Sequence, residues 1–189
     1  ARDVPGLAII RYSPKERQAF SSIGSFAGED AVIRFAKYPG DWYGWNGTAR
    51  IVANVTQDMA GRGEHCGYSF WMQATGGLEA QPAGPNSQSL PGGIGALAYD
   101  DMRDYLRRAR AYLFTGTQPA SYTLGFIEAL MTGVPLVAMS GSRFGWPPIY
   151  EADEIADLSA DTPELANVTL HELLNDDEMA REVSAVQRV

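Results

Sequence analysis

Between Asp100 and Met139 the chain reads as helix, strand, loop, helix and strand in unbroken succession. Residues 100–110 place Met102, Tyr105, Leu106 and Ala109 at i, i+3, i+4 and i+7, with acids early and arginines late. That is an amphipathic helix matched to its own dipole. Residues 111–115 are an apolar strand, 116–121 a loop, 123–132 a helix stopped by Gly133, and 135–139 a second apolar strand. Strands this uniformly apolar have no polar face to give to water. They call for a parallel sheet covered by helices on both sides, a doubly wound α/β fold.

The rest of the chain extends the pattern. Residues 49–55 form another buried strand, residues 56–67 a polar, glycine-containing loop with Arg62 at its centre, and residues 66–73 a helix. Residues 75–95 are loop-rich, with room for one short strand. Thr162-Pro163-Glu164 opens a helix carrying Leu165, Val168 and Leu173, and a last helix carries Met179, Ala180, Val183 and Val186. At the start, residues 7–12 read as a strand. Ser13-Pro14-Lys15-Glu16 then opens a helix whose apolar stripe is Phe20 and Ile23. Residues 24–48, rich in glycine and carrying Tyr38, Trp42, Tyr43 and Trp45, read as an inter-domain linker or an ordered surface segment. The expected division is residues 1–35, the end of a preceding domain or a linker, and residues 36–189, one nucleotide-binding domain.

Charge narrows the function. With 15 Lys and Arg against 23 Asp and Glu, the net charge is −8. An acidic surface argues against nucleic-acid binding, which needs a basic footprint, but leaves room for a local anion site. One Cys and two His make neither an internal disulfide nor a structural zinc site. No metal is expected, and a reducing, cytoplasmic setting is. No stretch of 18 apolar residues exists, residues 1–6 lack a signal-peptide layout, and the first residue is not Met, as in a processed chain or a fragment.

In a doubly wound sheet, ligands sit beyond the carboxyl ends of the strands. One such end delivers Arg62. Another delivers residues 116–121 and then a helix N-terminus, whose amides favour an anion such as phosphate. Glu128 on that helix suits a ribose diol. Taken singly, Arg62 also reads as a solvated loop charge, Glu128 as a surface carboxylate, and the aromatic cluster as packing. No Ser-His-Asp set, Walker A motif or Gly-x-Gly-x-x-Gly after a strand is present.

Residues 99–139 change the balance. The stretch Glu128-Ala129-Leu130-Met131-Thr132-Gly133-Val134-Pro135-Leu136-Val137 resembles the Glu-Ala-Met-x-x-Gly-x-Pro-Val signature in the donor-binding, C-terminal half of GT-B glycosyltransferases, particularly retaining family 4. The resemblance covers about residues 36–189. It implies a Rossmann-like half of a GT-B fold with a short remnant of a preceding domain. It also implies sugar transfer from a nucleotide diphosphate sugar, as co-substrate rather than cofactor, to an unknown acceptor with retention. Donor contacts are expected from Arg62, Asn86, Gln118, Ser121, Tyr122, Thr123, Leu124 and Glu128, with no catalytic residue assigned. In the family's E-x7-E motif the second Glu, here Glu128, contacts the ribose. The first falls on Ala120, which departs from the pattern and puts the sugar contact in question. The acceptor domain is not visible in the chain. Two rivals stand beside this reading: a non-catalytic or partner-dependent nucleotide-sugar-binding module, and a GT-B epimerase.

Overall fold

A computed structural model describes residues 10–16, 31–34, 36–145, 150–156 and 158–187. The remaining parts of the expected first strand and helix, Phe20 and Ile23 included, lie outside the described residues. Within them, β1 (Ile10–Arg11) and β2 (Ala31–Val32) form a small parallel pair.

The apolar runs expected at 49–55, 111–115 and 135–139 become the centre of a sheet, the second shifted to start at Ala109 and end at Phe114 and the third starting at Leu136. In chain order its strands are β3 (Ala49–Val55), β4 (Ala80–Ala83), β5 (Ala109–Phe114), β6 (Leu136–Met139) and β7 (Leu158–Ala160). All five pair in parallel, in the spatial order β4-β3-β5-β6-β7. Every residue of β5 and β6 is buried, as a sheet covered on both faces requires.

One face is covered by α3 (Tyr68–Ala74) and α7 (Pro163–Asn175), which pack on each other. The other is covered by α1 (Pro39–Trp42), α4 (Tyr99–Arg108) and α5 (Leu124–Thr132). Thr123 and Thr162 cap α5 and α7 by accepting from the amides of Phe126 and Leu165. The last helix, α8 (Asp177–Gln187), returns to the sheet. There the Gln187 side chain accepts from the Leu136 amide at 2.7 Å and donates to the Leu136 carbonyl at 2.8 Å.

Three features differ from expectation. The loop at 56–67 contains a one-turn helix, α2 (Met59–Arg62), and a 3-10 turn (Gly63–Cys66), anchored by fully buried Met59 and Cys66. A short helix α6 (Ala152–Ile155) and strand β7 complete the far edge, where the sequence carries no clear period. The aromatic segment is built into the domain. Trp42 is buried, the Trp45 indole donates to the Ala109 carbonyl at 2.7 Å, and Arg107 reaches back to the Asp41 carbonyl at 2.8 Å.

Candidate functional site

Strand order reverses direction between β3 and β5: the chain leaves β3 for β4 on one side, then returns to β5 on the other. A crevice opens at the carboxyl ends of strands where this happens. Here the opening has a definite cause. Pairing of β3 with β5 ends at Ala53 and Tyr112. Beyond that point the Val55 amide donates to the Tyr112 hydroxyl at 3.1 Å, and Asn54 Nδ2 donates to the Leu113 carbonyl at 2.8 Å. On the β4 side, the Asn54 amide donates to the Tyr105 hydroxyl, which in turn donates to the Gln81 carbonyl. Side chains thus satisfy the backbone groups of the parting strands. Burial holds both phenols well above their ordinary pKa, so both stay neutral.

Two loops rise from this point and are stitched together. The Gln118 amide donates to the His65 carbonyl at 2.7 Å, and the Thr115 hydroxyl to the Cys66 carbonyl at 2.7 Å. The first of these bonds ties the chain just before Pro119 to the turn that ends at Cys66. Gly67, at φ +64°, lets this happen: a Cβ there would stand 2.9 Å from the Thr115 Cβ. Gly125 serves the same end on the other face, since a Cβ on it would meet the Val55 Cβ at 3.2 Å, and so the start of α5 lies directly on the end of β3. Burial pushes the Cys66 thiol up, against a smaller opposing pull from Thr117 and the charge of Arg62.

Arg62 ends α2, in the segment that follows β3, and has no carboxylate partner among the described residues. In the segment that follows β5, α5 presents its first amides, of which Phe126 is taken by the Thr123 cap. One turn further in, Glu128 is 8% exposed and pairs with Lys37, Nζ to Oε1 at 3.2 Å. The ammonium group also lies 5.6 Å from the ring centroids of both Trp42 and Tyr99. Burial raises the Glu128 carboxyl above its ordinary value, and Lys37 opposes that rise. The elements after β3 and β5 thus carry a cation and helix amides, which suit an anion, and a buried carboxylate, which suits hydroxyl donors.

The expected donor residues divide into groups. Arg62, Gln118, Thr123, Leu124 and Glu128 all lie on the elements that follow β3 and β5. Leu124 is exposed at the helix start. Asn86 stands on a separate turn after edge strand β4, exposed and at φ 64°. Ser121 and Tyr122 are buried with their side chains turned to the N-terminal segment. The Tyr122 hydroxyl donates to the Tyr12 carbonyl at 2.9 Å, and the Ser121 hydroxyl to Glu16 at 3.4 Å. Sequence reasoning missed Lys37, Tyr99, Asn54 and Tyr112. For Lys37 the available signal was a single cation abutting the aromatic cluster.

A cleft of about 280 Å³ opens beside Gln118, between Glu64, Phe70, Met139 and Phe144. A larger groove of about 690 Å³ runs past Ala49, Glu79 and Arg108, at the amino end of β3 and away from the crevice. Among the described residues, no group of three His, Cys, Asp or Glu could hold a metal ion, and no helix is long and apolar enough to cross a membrane.

No protein-family model matches the sequence, and no curated protein matches it. Solved structures do. HepE of Anabaena, in complex with UDP and glucose, matches with a TM-score of 0.71 at 12% identity, over 95% of this chain and 56% of HepE. TarM of S. aureus matches with a TM-score of 0.65 at 14% identity, over 96% of this chain and 39% of TarM. The O-GlcNAc transferase of Thermobaculum terrenum matches with a TM-score of 0.53 at 14% identity, over 82% of this chain and 36% of that one. The chain therefore spans just over half of HepE and less of the others. Its five-stranded parallel sheet flanked by helices is the Rossmann-like α/β fold of these GT-B glycosyltransferases.

Proposed function

We propose that this chain is the donor-binding half of a glycosyltransferase that moves a sugar from a nucleoside diphosphate sugar to an acceptor, with retention of configuration. The observation that carries the reading is the β3/β5 switch point, after which the chain places Arg62, without a carboxylate partner among the described residues, on the element following β3, and the start of α5 with buried Glu128 on the element following β5. In this reading Arg62 and the helix amides bind the diphosphate and neutralise it as it leaves, without a protein-bound metal. Glu128 takes the ribose diol. Gln118, Thr123 and Leu124 frame the phosphates, Asn86 approaches from the turn after β4, and Ser121 and Tyr122 brace the loop from behind. HepE, a structural neighbour in complex with UDP-glucose, supports a nucleotide sugar as ligand. The acceptor side is assigned to a further domain, and the setting to the cytoplasm.

Calorimetry with UDP, UDP-glucose and uridine tests the donor site. Arg62→Ala should weaken UDP much more than uridine. Equal loss for both would remove Arg62 from the diphosphate site. A second reading, a nucleotide-sugar-binding module without catalysis, is favoured by Ala120 at the place of the family's first Glu. Release of free nucleoside diphosphate on addition of acceptor decides for the transferase.

A further inference from the structure

Lys37 lies in the segment before α1, far in sequence from α5, yet its ammonium group is the partner of the Glu128 carboxylate. The position is built. Trp42 and Tyr99, themselves edge to face at 5.5 Å, flank the ammonium, and Trp42 is fully buried. A Lys side chain held between two rings and a carboxylate has lost most of its rotamer freedom. That ordering is recovered only if the contacts are strong. No second side chain pairs with the carboxylate among the described residues, which leaves acceptor capacity for a ligand hydroxyl.

We propose that Lys37 is a positioning residue for the nucleotide: it keeps Glu128 ionised and fixed in orientation, ready to accept from the ribose diol. This rests on reading Glu128 as the ribose contact. The reason is electrostatic. A carboxylate this buried tends to take up a proton, and a protonated carboxyl has lost part of its capacity to accept from two hydroxyls. Lys37 is the group that opposes protonation. Other charged and titratable groups on the elements packed around α5 do not replace it. From β5, the Tyr112 phenol stays neutral. From α4, Tyr99 approaches the same ammonium, Arg103 pairs with Asp100, and Arg107 lies near Asp104. From α1, Asp41 is exposed and its carbonyl is taken by Arg103 and Arg107. On β3, Arg50 reaches away to Asn175.

The test uses the full chain and the affinity ratio between a nucleoside diphosphate and its 2′-deoxy analogue, measured by calorimetry from pH 5 to 9. UDP, ADP and GDP are tried, and the pair that binds most tightly is followed. Taking the ratio cancels titration of the phosphates, so it reports the diol contact alone. In the unaltered protein the preference for the ribonucleotide should be full at high pH and fade as Glu128 takes its proton. In Lys37→Met the fade should move to higher pH by about one unit or more, about tenfold in proton affinity. At pH 9 the preference should return. Lys37→Arg, which keeps the charge, should titrate like the unaltered protein. If Lys37→Met titrates at the same pH as the unaltered protein, or lowers the ratio equally at all pH values, Lys37 does not act through the charge of Glu128 and the proposal is overturned. Glu128→Gln separates this from the reading beneath it. A ribose preference that Glu128→Gln removes but Lys37→Met leaves in place at every pH, with the fade at the same pH as in the unaltered protein, overturns only the role of Lys37. A ratio that Glu128→Gln leaves unchanged shows that Glu128 is not the ribose contact, and both fall.

Discussion

The Tyr112 hydroxyl lies 3.1 Å from the Val55 amide nitrogen, just past the point where β3 and β5 cease to pair. One side chain thereby caps a strand end at the mouth of the crevice. Both residues lie on the sheet that carries the Arg62 loop and α5, so the cap helps fix where those two elements start.

Tyr112→Phe should therefore lower stability with little change in packing volume. The ring stays in the core, but the Val55 amide loses its partner. The bond is part-buried, and a donor left unsatisfied there should cost about 1 kcal/mol, the low end of the range for buried donors. Urea unfolding, with an unchanged denaturant slope, measures it. A loss below about 0.5 kcal/mol would mean that water or a backbone carbonyl takes over the amide.

Gln187→Ala should loosen the far side of the domain. The Gln187 amide makes both its bonds to the backbone of Leu136, as an extra strand residue would, and Leu136 is fully buried. Losing both leaves the Leu136 amide without a partner at the start of β6, while its carbonyl still faces β7. About 1–3 kcal/mol of stability should go. Hydrogen exchange localises the effect: the Leu136 amide should lose protection in the variant, while those of β3 keep theirs.

These contacts show which parts of the molecule were readable beforehand. The interior strands 49–55 and 136–139 and the capped helices after Thr123 and Thr162 were legible, since their signals are local: apolar runs, caps and a stopping glycine. The edge strand Leu158-Ser159-Ala160 was not, because three residues of mixed character become a strand only by pairing with β6. Helix α2 hid in a glycine-containing stretch and is held by burial of Met59, a tertiary cause. At the candidate site, the places of Arg62 after β3 and of Glu128 on α5 were readable from position and motif. The Lys37 contact was not: a lone cation beside the aromatic cluster marks Lys37, but nothing in the sequence ties it to Glu128 on a distant helix. Ser121 and Tyr122 carry the right neighbours in sequence, yet the direction of their side chains is set by the packing of residues 12–16.

Cys66 should be inert in the folded protein. Its thiol is fully buried, and burial pushes its pKa up, so the reactive thiolate is scarce and shielded. At pH 7.5, iodoacetamide should label it at least about tenfold more slowly than in urea-unfolded chain. Labelling at the unfolded rate would mean that the Gly63–Cys66 turn opens readily, and with it the Arg62 loop.

Stability should depend on pH through Glu128, with a sign that follows from its burial. Its folded carboxyl has a pKa above the ordinary value of 4.5. Between that value and the folded pKa, the native state holds a proton that the unfolded state has released. Stability therefore falls as pH rises through this window, by about 1.4 kcal/mol for each unit of separation, and is level above it. Glu128→Gln cannot titrate and should lack the fall. The difference in unfolding free energy between the two proteins, measured in urea at intervals from pH 4 to 9, isolates this group because the other carboxylates cancel. That difference should move in favour of Glu128→Gln as pH rises. Lys37→Met, which retains the carboxyl but removes its partner, should extend the fall to higher pH. A difference that is flat across the range would mean that Lys37 fully offsets the burial of Glu128. A difference moving the other way would mean that the pair is stronger than the cost of burying it, with the folded pKa below 4.5.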